Sequence, residues 1–180
     1  MLALRELSRS DLEAINSWRA DKDLISYLGA PFRYINQEVD HRWFDAYMNS
    51  RHNTIRCAIY DDADSDDGSI LGMIALTNID WVVRSAVLHI MIGNSDNRNR
   101  GIGTFAVSEM LKHAFDDMNL NRVELEVLSS NSRAIHLYEK IGFEKEGIKK
   151  EAAYKKGFYV DVLFMGLLKK QWEKNNQDNH

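Results

Sequence analysis

The chain has 180 residues, of which 44% are hydrophobic and 28% charged, with a formal net charge of −4. Those totals fit one folded domain with a sizeable core, and they argue against disorder and against a general nucleic-acid surface. A single cysteine, Cys57, excludes an internal disulfide, and no apolar run reaches the roughly 18 residues of a membrane helix, so a soluble, reducing, cytoplasmic setting is expected.

Residues 2–7 alternate as a short strand. "SRSDLEAINSWR" then carries a capping box, Ser10 as N-cap with Glu13 at N3, and Leu12, Ile15 and Trp18 mark the buried stripe of the helix it opens. Residues 21–35 predict a second short helix ending near Gly29, and Pro31, the only proline, argues for a break at Ala30. Residues 37–49 read as an amphipathic helix with Val39, Trp43, Phe44 and Tyr47 close to one face. "TIRCAIY" and "SILGMIALTNIDW" are strands joined by "DDADSDDG", a solvated acidic tip without the ligand spacing of a calcium loop. Cys57, in the first of them, is read as a small core residue.

"SAVLHIMIG" is the next strand, and residues 103–118 predict a helix with Val107, Leu111, Ala114, Phe115 and Met118 on one face. "RVELEVL" alternates strictly, "SNSRAIHLYEKIGF" is a capped helix closing at Gly142, and residues 144–168 form two strands around Lys156 and Gly157. The pattern predicts one mixed α/β domain over residues 1–172, its sheet largely antiparallel early with helix crossovers later, and a disordered tail at 173–180.

The chemistry concentrates in "NSDNRNRGIG", where a strand gives way to a helix. A helix N-terminus offers unpaired backbone N–H groups and a positive dipole end, glycine lets a bulky anion approach, and Arg98 and Arg100 add phosphate-binding donors. A P-loop would need Gly-Lys-Ser/Thr, which is missing. Gly101, Gly103 and Ala106 match the dinucleotide fingerprint, but seven residues separate Gly93 from Gly101 and the strands before it look antiparallel. A flexible loop with solvated arginines remains the bland alternative.

Arg98, Gly101 and Gly103 also meet the pattern Arg/Gln-x-x-Gly-x-Gly/Ala, and "NSRAIHLYEKIGF" supplies Asn-x-x-Ala-x-x-x-Tyr-x-x-x-Gly-Phe downstream. Together they resemble the GNAT superfamily of acetyl-CoA-dependent N-acetyltransferases, from "LALRELSRSDLEAI" to "VDVLFMGLL". The branches it most resembles acetylate ribosomal-protein N-termini, spermidine and amino sugars. The resemblance implies a single α/β (α+β) domain whose mixed, mostly antiparallel seven-stranded sheet is flanked by helices and splayed between strands four and five. It implies acetyl-CoA as co-substrate and no metal. Arg98, Asn99, Arg100, Gly101, Ile102, Gly103 and Thr104 would seat the pyrophosphate. A kink in the preceding strand would free the backbone of Ile90, Met91 and Ile92 for the pantetheine and thioester, and Asn131 and Ala134 would follow along the arm.

Tyr138 shares a helix face with Ala134, Leu137 and Ile141 and so points inward. On its own that describes a core tyrosine with its hydroxyl tied to a backbone carbonyl. By resemblance it lies beside the coenzyme sulfur and is the general acid. Relatives often carry a glutamate base early in the fourth strand, where this chain has Val87. His89, on the same strand face, is the candidate base, with a structural histidine or a water relay as alternatives.

The acceptor would be a small-molecule amine, with Tyr27, Phe32, Arg33, Trp81 and Tyr154 as candidate lining residues. Gly29, Ala30 and Arg33 stand where a polyamine would call for carboxylates, while Arg33, His41 and Arg42 suit a sugar nucleotide or an amino acid. No nucleic-acid or membrane partner is expected, and C-terminal edge strands allow a homodimer. Acetylation of a protein N-terminus and acyl-CoA binding without turnover are the other functional readings.

Overall fold

Seven strands form one sheet in the order β1-β2-β3-β4-β5-β7-β6. The strands are β1 (Leu2–Glu6), β2 (Ile55–Asp61), β3 (Gly72–Asp80), β4 (Ser85–Ile92), β5 (Arg122–Leu128), β6 (Glu144–Lys155) and β7 (Phe158–Leu168). The computed structural model describes residues 1–64, 69–97 and 100–177. Arg98, Asn99, part of the acidic tip and the last three residues of the expected tail lie outside them.

Every neighbouring pair is antiparallel except β4 and β5, which run parallel and pair only at Ser85–Arg122, Ala86–Val123 and Val87–Glu124. A parallel pair needs a crossover, and the helix α4 (Ile102–Lys112), extended by a wider turn over His113–Asp117, supplies it. Beyond Val87 the two strands part, and the sheet opens as the resemblance implies.

Strand alternation sends side chains of β4 into two separate cores. Ala86 and Leu88 join Val107, Met110, Leu111 and Phe115 of the α4 segment, together with Ile135, Tyr138 and Ile141 of α5 (Ser132–Ile141). Met91 points the other way, into a smaller core with Leu12, Ile15 and Trp18 of α1 (Leu12–Ala20), Leu24 of α2 (Lys22–Ser26), and Phe44 and Tyr47 of α3 (Gln37–Asn49). The site therefore lies in an opened sheet with a helical layer on each face.

Three elements differ from the sequence reading. The capping box is Ser8 with Asp11, not Ser10 with Glu13. The Asp11 carboxylate accepts from the Ser8 N–H at 2.7 Å and is held by Arg5 of β1 at 2.7 Å, a partner that Glu13 cannot reach from its exposed position. The helix expected over 21–35 is one short turn. Asp21 caps it by accepting from Asp23 and Leu24, and the Ser26 hydroxyl takes the Asp23 carbonyl as the chain leaves the helix. The expected tail is helical at least to Gln177, as part of α6 (Lys169–Gln177).

Candidate functional site

Just past β4 stands Gly93, where a Cβ would come within 2.2 Å of the Trp18 ring, so α1 packs directly on the strand exit. The chain then reaches Gly101, which takes a left-handed conformation (φ 77°) as the N-cap of α4. Among the described residues no side chain caps this helix, and a Cβ at Gly101 would meet nothing within 4 Å. The N–H groups of Ile102, Gly103 and Thr104 thus begin a helix of 11 residues whose positive end faces open space. Arg100 is exposed beside it, tethered to the Asn97 side chain at 3.3 Å.

The edge of β4 continues this anion seat into the sheet. Ile90, Met91 and Ile92 pair with Ile74, Met73 and Gly72 of β3 on one side and, among the described residues, with no strand on the other. The β3–β4 register is unbroken from Gly72 to Thr77, so no bulge interrupts the pairing of β4 where the kink is expected. Its irregularity falls between Thr77 and Asp80, around Asn78 (φ 51°). The departure of β5, and not a break in β4, leaves backbone donors and acceptors free in the cleft.

α5 supplies the buried wall. Asn131 caps it by accepting from the Ala134 N–H at 3.2 Å, and its amide donates to the Tyr27 carbonyl at 3.2 Å. Gly142 (φ 116°) closes the helix with bonds back to Tyr138 and Glu139, which sets the ring of Phe143 5.7 Å from that of Tyr138. Tyr138 is 7% exposed, and its hydroxyl makes no hydrogen bond among the described residues. It is therefore not the core tyrosine tied to a carbonyl. Burial pushes its hydroxyl up to about 12, so the phenol keeps its proton across the physiological range. Burial likewise pushes the Cys57 thiol up to about 11, which makes it a poor nucleophile.

The opposite face is polar. His89 and Thr77 lie close across β3 and β4, with Nε2 2.9 Å from the hydroxyl. Partial burial and then the charge of Arg56 push His89 below its ordinary value, while Glu126 of β5 pulls it back. The imidazole is accordingly neutral near pH 7 and able to accept a proton.

The candidate acceptor residues do not form one group. Phe32 and Arg33 line a groove of about 580 Å³ with Lys22, Tyr34 and Asn36, and Lys22 Nζ stands 5.1 Å from the Phe32 ring. Tyr27 is attached to the α5 cap through its carbonyl while its side chain is exposed. Tyr154 stacks edge-on with Tyr159 on the exposed β6–β7 hairpin. Trp81 lies on the β3–β4 turn, at the end of β4 that is paired with β5, and its indole is spent on the His52 carbonyl. It does not reach the place where the strands part, because the turn and the cleft are at opposite ends of β4.

Two functional candidates escape the sequence reading. Lys155 Nζ reaches back to the carbonyls of Ile25 (3.1 Å) and Ala30 (2.5 Å), and Lys156 pairs with Asp23, so the hairpin pins the α2 loop. Arg56 sits on the inward face of β2 with Ala58 and Tyr60. A lone charge on the inward side of an alternating strand was the signal available for it.

Residues 1–144 match the family described as the acetyltransferase (GNAT) domain. The chain is 28% identical over 173 residues to a spermidine N(1)-acetyltransferase of Vibrio cholerae, covering 95% of each. It is 28% identical over 170 residues to the L-amino acid N-acetyltransferase AaaT of Escherichia coli, covering 93% of this chain and 98% of that one. Its structure resembles that of the Vibrio cholerae spermidine N-acetyltransferase in complex with CoA and spermine, with a TM-score of 0.87 at 26% identity over 96% of this chain and 98% of that one.

Proposed function

Because the chain belongs to the GNAT acetyltransferase family, we propose that it moves the acetyl group of acetyl-CoA directly to the primary amine of a small molecule. One observation carries the reading: a helix end and a strand edge that are uncapped and unpaired among the described residues lie on the same packed cluster as Tyr138, a buried tyrosine whose hydroxyl has no partner among those residues. These features fit an elongated thioester with an anionic end. The α4 N-terminus takes the pyrophosphate, the β4 edge takes the amide-bearing arm, and a backbone N–H near Ile90 faces the carbonyl oxygen as it gains charge. Acetyl-CoA supplies an activated acyl group, and the protein supplies the positioning and the proton transfers.

Tyr138 donates to the departing sulfur. A phenol near 12 and an ordinary thiol near ~8.5 are poorly matched for proton transfer. The burial that raises Cys57 to about 11 acts on any thiolate in a dry cleft, which narrows that gap. His89, kept neutral, takes the amine proton directly or through Thr77 and water.

Among acceptors, Lys22 and Arg33 in the α2–α3 groove disfavour a polycation. The exposed Tyr154, Phe158 and Tyr159 of the β6–β7 hairpin support a homodimer through that edge. The test is thiol release from acetyl-CoA against a panel of amines. Release that depends on an amine supports transfer, and tight coenzyme binding with no stimulated release would reduce the protein to a binding module.

A further inference from the structure

From the surroundings of Arg56 we infer that this residue anchors the carboxylate of the acceptor, so that the amine acetylated belongs to an α-amino acid. The inference rests on the acetyltransferase reading above. Arg56 pairs with Ala75 and Ala75 with His89, which places Arg56 and His89 on one row across three strands, about 10 Å apart at their Cα atoms. That row is the second beyond Val87, where β4 leaves β5. The guanidinium lies 4.7 Å from the Trp43 ring centre and 5.8 Å from that of Tyr47. Its Nε–H is buried and has no partner among the described residues.

The carboxylates that could neutralise it are committed elsewhere. Asp40 is held by Arg19 and Asn16, Glu6 by Tyr47 and Arg51, and Asp11 by Arg5. Arg56 is left among the described residues with neither an ion pair nor a hydrogen bond to its side chain. A guanidinium that merely stacks on an aromatic keeps its donors in water. This one has a donor out of water and no anion beside it, an arrangement that is costly unless a ligand supplies the charge. Burial, aided by Arg19 and opposed by Tyr47, pushes the Arg56 pKa down, the direction expected of a cation without an anion beside it.

The fork geometry of a guanidinium matches a carboxylate, and a single cation balances a monoanion rather than a phosphate dianion. The opposite pole is Glu126 across the cleft, 3.0 Å from Lys149 and close enough to act on His89. A zwitterion set with its carboxylate on Arg56 directs its ammonium toward His89, Glu126 and the opened strand edge.

The test measures thiol release with matched acceptors: L-phenylalanine against phenethylamine, L-methionine against its decarboxylated amine, with spermidine and phosphoethanolamine alongside. The wild type is expected to favour the carboxylate member of each pair by about 30-fold or more in kcat/KM, mainly through KM. Arg56→Gln should collapse that ratio toward one, and Arg56→Lys should restore part of it. Calorimetric binding of L-phenylalanine to the CoA-loaded protein should be lost in Arg56→Gln. If Arg56→Gln fails a thermal-melt check, Arg56→Lys carries the comparison, with a fall in the ratio of at least about threefold required. Equal use of paired amines, or a preference for spermidine or phosphoethanolamine, would overturn the carboxylate anchor and leave the acetyltransferase reading standing. If no amine stimulates release, that reading fails instead. Arg56-dependent calorimetric binding would then support the anchor, and its absence would remove it.

Discussion

On the α4–α5 side of the cleft, the proposed donor site uses backbone groups, caps and the Tyr138 hydroxyl, drawn from two short stretches of chain around the β4 exit and α5. On the α1–α3 side, Arg56, Thr77, His89 and Glu126 come from four different strands, and their surroundings come from three helices. The first side offers N–H groups and a dipole, which suit a ligand made of phosphates and amides. The second offers side-chain charges of both signs, which suit a small polar molecule chosen for its shape. On the proposed reading the donor half is thus built from local conformation and the acceptor half from long-range assembly.

The largest expected effect tests whether the two sides meet at Tyr138. Tyr138→Phe removes the hydroxyl while keeping the ring against Phe143, so kcat should fall by about 10²- to 10³-fold with coenzyme affinity changed less than about threefold. Rapid-quench turnover with parallel calorimetry measures both. Undiminished kcat would move the acid elsewhere and break the proposed division of labour.

His89→Gln should lower kcat by roughly 10- to 100-fold and flatten the acid limb of the pH–rate profile. The sign follows from the environment. Burial and Arg56 depress His89, so the base is lost only as pH falls below the ordinary value near 6.5. The unfolded chain then binds the extra proton first, and the stability contributed by neutral His89 also declines as pH falls through that window. Arg56→Gln removes the nearby cation and should shift the limb to higher pH. A limb that ignores both substitutions would favour a water relay.

Gly101→Val addresses the donor side alone. The position is left-handed, so a β-branched residue costs about 1–3 kcal/mol of backbone strain, yet among the described residues no atom lies within 4 Å of where its Cβ would go. The valine is therefore expected to crowd a ligand seated on the helix end. The Kd for coenzyme should rise about tenfold or more, whereas Gly101→Asn, which tolerates that φ, should be milder. Equal, small effects on binding would place the pyrophosphate elsewhere.

This contrast also explains what could be read in advance. The strands, the long helices, the start of α4 at Gly101 and the Asn131-to-Gly142 helix follow from spacing within a window, so they were legible. The capping residue of the first helix was missed because Asp11 is chosen by Arg5, which lies on another strand. Trp81 was misplaced because an aromatic beside a strand does not declare which end of the cleft it occupies. Arg56 looked like one polar residue in "TIRCAIY" until the committed carboxylates around it were known.

Asn131 belongs to both halves, and its substitution should have the smallest effect of these. Its Oδ1 caps α5 while its Nδ2 holds the Tyr27 carbonyl, so one amide links the coenzyme wall to the α2 loop. Asn131→Ala should cost about 1 kcal/mol of stability, and Asn131→Ser should recover most of that because serine is an equivalent cap. Neither variant can hold Tyr27. If the link matters for the acceptor, both should raise acceptor KM two- to threefold, independently of the melting temperature. If KM instead follows stability, the two sides of the cleft are coupled only by the fold that carries them, and the bond to Tyr27 is a packing detail.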